Sequence, residues 1–350
     1  MEKTGNDLIG KIDDAIEKGI DYLYEHQFPN GEFCCYYAPD DEMQEWCVPD
    51  STVFPSALIA CCLLKIKDLP KVKKILGLTT GFLQYQMMRG GVWSYYTKWN
   101  PLFKYSPADL DDTAIVSYAL RDLGINFPDN SKIFSGSRNS KGLFYTWIVL
   151  RPSLNKDLNY WKVTGRELKR PIDSLAFWSR HEVKRNDVDA IVNANILFYL
   201  GLNEITKPII NYLIEIINNN DEETTDKWYK NPFAFYYFVS RNYLTIKELE
   251  PVRDKIISKI YKLKNTDGGF GNNAFENALA ISTLINLKHI DLHLEKAVCT
   301  LLNMQSKSGY WKRHIFYYSG PSKVVGWGSE EIITAHCIEA LVSYRNATLI

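Results

Sequence analysis

Three carboxylates fall within four residues in the run Asp109-Leu110-Asp111-Asp112-Thr113-Ala114, just after Pro107 and ahead of an apolar helical stretch. A helix start accepts such residues readily. With Asp109 as N-cap, Asp112 sits at the third helical position and can reach back to the cap's own N–H. Asp111 lies about 100° round the helix from Asp112, and capping does not require it. Two influences oppose each other there. Neighbouring carboxylates and a half-dry cavity raise the pKa of Asp111, and the helix dipole lowers it. Where the first prevails, Asp111 stays protonated near neutral pH and can act as a general acid.

The elements that must position these acids follow from a repeat. An amphipathic helix, a turn of the form Gln/Asn, Gly and aromatic, and a more apolar helix recur along the chain. The turns are Gln27 to Phe33, Gln86 to Trp93, Asn265 to Phe270 and Gln305 to Trp311. The helices before the turns span about 11–26, 70–86, 206–219, 247–263 and 292–304, with apolar residues at three-to-four spacing. The helices after them span about 51–64, 110–123, 188–200, 232–243, 275–287 and 330–344, and are apolar nearly all round. A helix apolar on every face is buried on every face. The pattern predicts an all-α fold: a closed α/α toroid of six helical hairpins, an inner ring of six parallel helices inside an outer ring of six. The outer helix before residue 188 is the least defined, with 143–163 or 172–182 able to supply it. No linker-like segment divides the chain, so 1–350 reads as one toroid domain, with 124–186 as a lid or insertion over one mouth.

Parallel inner helices gather their N-termini at that mouth. Their openings carry Asp50, Asp109, Asp111, Asp112, Asp187, Asp189, Glu276, Glu330 and Glu331, a carboxylate-rich rim on converging dipole ends. Capping accounts for Asp50 and for Ser329 with Glu330.

Composition narrows the rest. The chain has 41 basic and 41 acidic residues, which offers nucleic acid no electrostatic footprint. An aromatic share of 13% fits either a large core or a cavity lined by ring faces. The seven Cys form no Cys-x-x-Cys pair, and the N-terminus does not read as a signal peptide, so reduced thiols in a cytoplasmic protein are expected.

The run 109–114 matches the Asp-x-Asp-Asp-Thr-Ala motif of the class II terpene cyclases, the squalene–hopene cyclase and copalyl diphosphate synthase group, and the Gly-aromatic turns resemble that superfamily's repeat over nearly the whole chain. The α/α toroid is also the fold that group shares with the protein prenyltransferases. The resemblance implies an isoprenoid cyclase in which Asp111 protonates an alkene of a prenyl substrate, with Asp109 and Asp112 as supporting acids. Trp93, Tyr95, Tyr96, Trp99, Phe275 and Trp327 are then candidates to stabilise the carbocation with their ring faces, although each equally suits core packing. Asn193 and Asp189 are candidates to hold a polar group of the substrate, and Asn193 and Asn195 equally suit bonds between inner helices. Arg170 and Arg180, in a basic segment, could hold a diphosphate, which would bring Mg2+ with it; no other cofactor is implied. The expected partner is a hydrophobic isoprenoid small molecule, with peripheral membrane association and a homodimer both compatible.

The chain departs from that group in having one toroid where two helical domains are usual, and it lacks an Asp-Asp-x-x-Asp metal motif. A zinc site of the prenyltransferase kind is not expected, because His336 and Cys337 are adjacent on a helix and point apart. Two other functions stay open. A carbohydrate-active enzyme on the same barrel would need a second carboxylate, Asp189 or Glu331, across the substrate from Asp111. A non-catalytic toroid would bind a lipid or a protein.

Overall fold

The structure is a computed structural model that describes residues 2–151, 158–169, 171–180 and 182–348, without the side chains of 2–6, 167, 169, 173, 176 and 180. In chain order its helices are α1 (Glu2–His26), α2 (Phe54–Leu63), α3 (Pro70–Gln86), α4 (Leu110–Asp122), α5 (Ser131–Ser135), α6 (Leu158–Thr164), α7 (Arg166–Lys169), α8 (Pro171–Arg180), α9 (Ala190–Leu200), α10 (Lys207–Asn219), α11 (Glu222–Thr225), α12 (Pro232–Tyr243), α13 (Arg253–Lys262), α14 (Ala274–Asn286), α15 (Leu292–Asn303) and α16 (Glu330–Thr348). Short strands are β1 (Cys35–Ala38), β2 (Val48–Asp50), β3 (Ala108–Asp109), β4 (Trp147–Ile148), β5 (Tyr317–Tyr318) and β6 (Gly326–Gly328).

The apolar helices α2, α4, α9, α12, α14 and α16 pack one against the next, and α16 returns to α2, closing an inner ring. Helices α1, α3, α10, α13 and α15 lie outside it, each against its inner partner or its outer neighbours. The fold is the expected α/α toroid. The third outer helix differs from expectation. It is the short α5, followed by a turn at Asn139, Gly142 and Phe144 of the same form as 265–270. The described residues of 143–163 and 172–182 instead include the turn aromatic, β4 and parts of the helices α6 and α8, while 152–157 and 181 lie outside the described residues.

Glycine is required where the turns brush the next hairpin. Gly31 has φ +89° and Gly309 φ +90°, and a Cβ there would lie 2.1 Å from the Leu78 carbonyl oxygen and 2.3 Å from that of Lys18. The turn amides stitch the outer ring. Gln27 donates to the Ile75 carbonyl of α3 at 3.1 Å, and Gln305 donates to the Ala15 carbonyl of α1 at 2.9 Å, joining last hairpin to first. An antiparallel sheet ordered β2-β1-β6-β5 makes a second seam between the two ends of the chain.

Each turn aromatic is held from inside the ring. The backbone N–H groups of Phe33, Trp93, Phe144, Phe270 and Trp311 donate to Ser56, Thr113, Asn193, Asn277 and Thr334 of the inner helices, at 2.9–3.1 Å. The fourth junction, between α10 and α12, has no such turn. There Asp226 accepts the N–H groups of Trp228 and Tyr229 at 3.2 and 2.8 Å and turns the chain toward the mouth.

Candidate active site

The segments leading into the inner helices meet around a cavity of about 870 Å3. Twelve of its 31 lining residues are aromatic, enough to make ring faces its dominant surface. Phe54, Tyr95, Tyr229, Tyr317 and Trp327 form one continuous wall. Tyr95 and Tyr317 share a hydroxyl hydrogen bond of 3.1 Å, and Tyr317 stacks on Trp327 with centroids 5.9 Å apart. Trp147, Phe177 and Trp228 make an opposite cluster in which Trp147 contacts both others edge-on.

Asp109, Asp111 and Asp112 all reach this cavity. Asp109 is the N-cap of α4 and accepts the Asp112 N–H at 2.8 Å. The reciprocal bond of a capping box does not form, because the Asp109 N–H donates to the Trp93 carbonyl in a β-bridge. Among the described residues Asp112 Oδ1 is buried without a hydrogen-bond partner. Burial and the adjacent Asp109 charge push the Asp112 carboxyl well above the ordinary carboxylate range, and burial raises Asp109 too.

Asp111 takes no part in capping. Its Oδ1 accepts Asn195 Nδ2 at 2.7 Å and its Oδ2 accepts the Tyr229 hydroxyl at 2.7 Å. Burial raises its pKa, and these two donors and the Arg241 charge pull it back down. The result is a carboxyl held in one orientation at the cavity wall, with donors ready for its anion. That suits a group that must release a proton into a dry, apolar space.

The other sequence candidates divide. Tyr95, Tyr96, Trp99 and Trp327 line the cavity. Trp93 and Phe275 do not; both are fully buried. The Trp93 indole donates to the Leu83 carbonyl at the end of α3, and Phe275 packs edge-on against Phe316. Asn193 is also core: its amide holds both the N–H and the carbonyl of Phe144. Asp189 caps α9 through Ile191 and Val192, accepts the Lys227 N–H and does not line the cavity. Asp50 caps nothing, because α2 begins four residues later; its carboxylate accepts Asn100 and the Trp327 indole at 2.8 and 2.9 Å. Arg170 lies outside the described residues, as does the Arg180 side chain.

Tyr229, Tyr317, Phe54, Trp147, Phe177 and Trp228 escaped the sequence reading. Only Tyr229 had a usable signal: the fourth junction lacks the Gly-aromatic turn, so its aromatics are released from the repeat. Arg241 had a stronger one, an arginine inside a helix apolar on all faces.

No protein-family profile and no curated protein matches the sequence. The α/α toroid fold is one also seen in a solved type II terpene cyclase. Among solved structures, the chain is similar to the type II terpene cyclase MstE from Scytonema. The complex of that protein with its substrate, geranylgeranyl dihydroxybenzoate, aligns at TM-score 0.71 and 13% identity, over 98% of this chain and 99% of that one. The complex with its product, merosterolic acid A, aligns at TM-score 0.70 and 13% identity, over 98% and 99%. At this identity the likeness defines the fold.

Proposed function

We propose that the protein is a class II isoprenoid cyclase in which Asp111 is the general acid. The observation that carries the reading is the exemption of Asp111 from capping, together with its place on the wall of an aromatic cavity. The proton passes from the Asp111 carboxyl to the less substituted carbon of the chain's terminal alkene and leaves a tertiary cation. A C–H bond forms from the π pair, the O–H pair stays on Asp111, and the cation moves along the chain past the faces of Phe54, Tyr229, Tyr317 and Trp327. Asp109 and Asp112 support the acid by placement: Asp109 caps α4 and accepts the Asp112 N–H, which fixes the helix turn that carries Asp111. The closing proton loss leaves no net oxidation, so the reaction is an isomerisation.

The occupant is a hydrophobic prenyl chain. Among the described residues the cavity lining holds Asp50 and Glu182 besides the three acids at the start of α4, but no Lys, Arg or His. Such walls disfavour a diphosphate and the Mg2+ it would bring, and favour an uncharged, hydrogen-bonding head. Exposed Leu168, Ile172 and Leu175 on α7 and α8 support delivery of that substrate from a membrane surface. No helix among the described residues is long and apolar enough to cross a membrane.

The test is incubation with prenyl alcohols, prenylated phenols and prenyl diphosphates of several lengths, with products read by mass and NMR. A cyclised product from a neutral-headed substrate is expected, and Asp111→Asn should lower its formation by about 10³-fold or more. Unchanged turnover in a folded Asp111→Asn protein would refute the assignment.

A further inference from the structure

Behind Asp111 runs a chain of polar contacts that the reaction itself does not touch. Asn195 donates to Asp111 through Nδ2, and its Oδ1 accepts Arg241 Nη2 at 2.5 Å. Both residues are buried, Asn195 completely. The Arg241 guanidinium sits over the rings of Phe198, Phe238 and Tyr237, with centroids at 4.3, 4.7 and 5.2 Å. Among the described residues no carboxylate lies within 4.0 Å of it, and its Nε has no partner. A buried cation without a direct counter-ion is costly, and such a group persists where its field is used.

We infer that Arg241 is a positioning residue that strengthens the acid: it polarises the Asn195 amide, so that the amide's N–H holds the Asp111 carboxylate oriented and stabilised once the proton has left. The inference rests on the proposed role of Asp111. Asn195 can serve both neighbours because its amide has one accepting and one donating end. The bond from Arg241 fixes which end faces Asp111, since the reversed amide would present Nδ2 to a cation. A protonated carbonyl-side partner is thus unnecessary, and the Asn195 N–H is always aimed at the acid.

The other titratable groups around Asp111 are acids whose own pKa values are raised, in each case first by burial. Asp109 and Asp112 flank it on α4, Asp189 faces it from the start of α9, and Asp226 stands beyond Tyr229 on the fourth junction. Arg241, on α12, is the described cation that lowers its pKa. Without it, Asp111 would hold its proton more tightly and would be a weaker acid toward an alkene.

The sign follows directly. Loss of the cation should shift the Asp111 titration upward by about one pH unit. In substrate-free protein this is read from the protonated-carboxyl C=O stretch in pH-difference infrared spectra, assigned by its loss in Asp111→Asn. Arg241→Met is expected to move the band's midpoint up, lower kcat by about tenfold to a hundredfold and leave KM in place. Arg241→Lys, which retains the charge, should restore much of both effects. Asn195→Ala should reproduce the Arg241→Met shift in case the latter does not fold, and the double variant should add little to either single one. An Asp111 midpoint unmoved in folded Arg241→Met or Asn195→Ala would overturn the inference. The infrared readout needs no turnover, so it stands apart from the cyclase assignment: a shifted midpoint without any cyclised product would keep the relay and reject the reaction.

Discussion

The junctions at 305–311 and 226–231 do the same topological work, joining an outer helix to an inner one, by different means. At the first, Gly309 permits the reversal and the Trp311 N–H is taken by Thr334 of α16. The indole then donates to the Leu301 carbonyl at 2.8 Å. Both N–H groups of the aromatic are spent on neighbouring helices. At the second, the inner-helix position that elsewhere offers oxygen is Phe235, and the turn glycine is gone. Asp226 holds the backbone in its place, and the Tyr229 hydroxyl reaches Asp111. Where the repeat is kept, the aromatics carry stability; where it lapses, an aromatic is freed for the site.

Substitutions at the two junctions should therefore separate stability from activity. Trp311→Ala should cost about 3–5 kcal/mol of unfolding free energy by urea titration, with normal specific activity in the folded fraction. Asn193→Leu, which strips the clamp from the Phe144 N–H and carbonyl, should cost about 1–3 kcal/mol and spare activity likewise. Tyr229→Phe should do the reverse: kcat lower by about tenfold, with a stability change within about 1 kcal/mol. A Tyr229→Phe protein that unfolds easily but turns over normally would abolish the contrast.

The smallest effect concerns pH. The folded pKa of Asp112 is raised above its unfolded value by burial and then by Asp109. Its contribution to stability is thus full below the unfolded pKa near 4 and lost as pH rises through the folded value. Between about pH 4 and pH 8 the wild type should lose about 1 kcal/mol or more that Asp112→Asn does not lose. Denaturant midpoints across that range check it; parallel curves would show that the pair titrates otherwise.

The sequence made the toroid legible because helix period, apolar faces and Gly-aromatic turns all agree on it. It missed α5 because five residues are too few to show a period. At the site, the acids were legible as a surplus over capping at Asp111. The aromatics were legible chiefly just past a Gly-aromatic turn, on the segment that leads to the mouth, as with Tyr95, Tyr96 and Trp99. Trp93 and Phe275 misled because a repeat aromatic and a cavity aromatic share one residue type. What separates them is a hydrogen bond to an inner helix or a neighbouring ring, and both depend on contacts distant in sequence. Asn193 and Asn195 differ by two positions and face different neighbours, a distinction of about 200° round the helix that only the packed ring resolves.

The seam between first and last hairpins bears on how the molecule forms. Open repeat arrays can fold from any unit outward and grow by propagation. Here the contacts that complete the structure join Gln305 to Ala15, separated by 290 residues, and β6 to β1. Until α16 has been made, the earlier hairpins form an arc with an apolar flank at each end. Folding is thus governed by one late, long-range encounter, which predicts slow assembly and a half-made chain prone to self-association until the ring shuts.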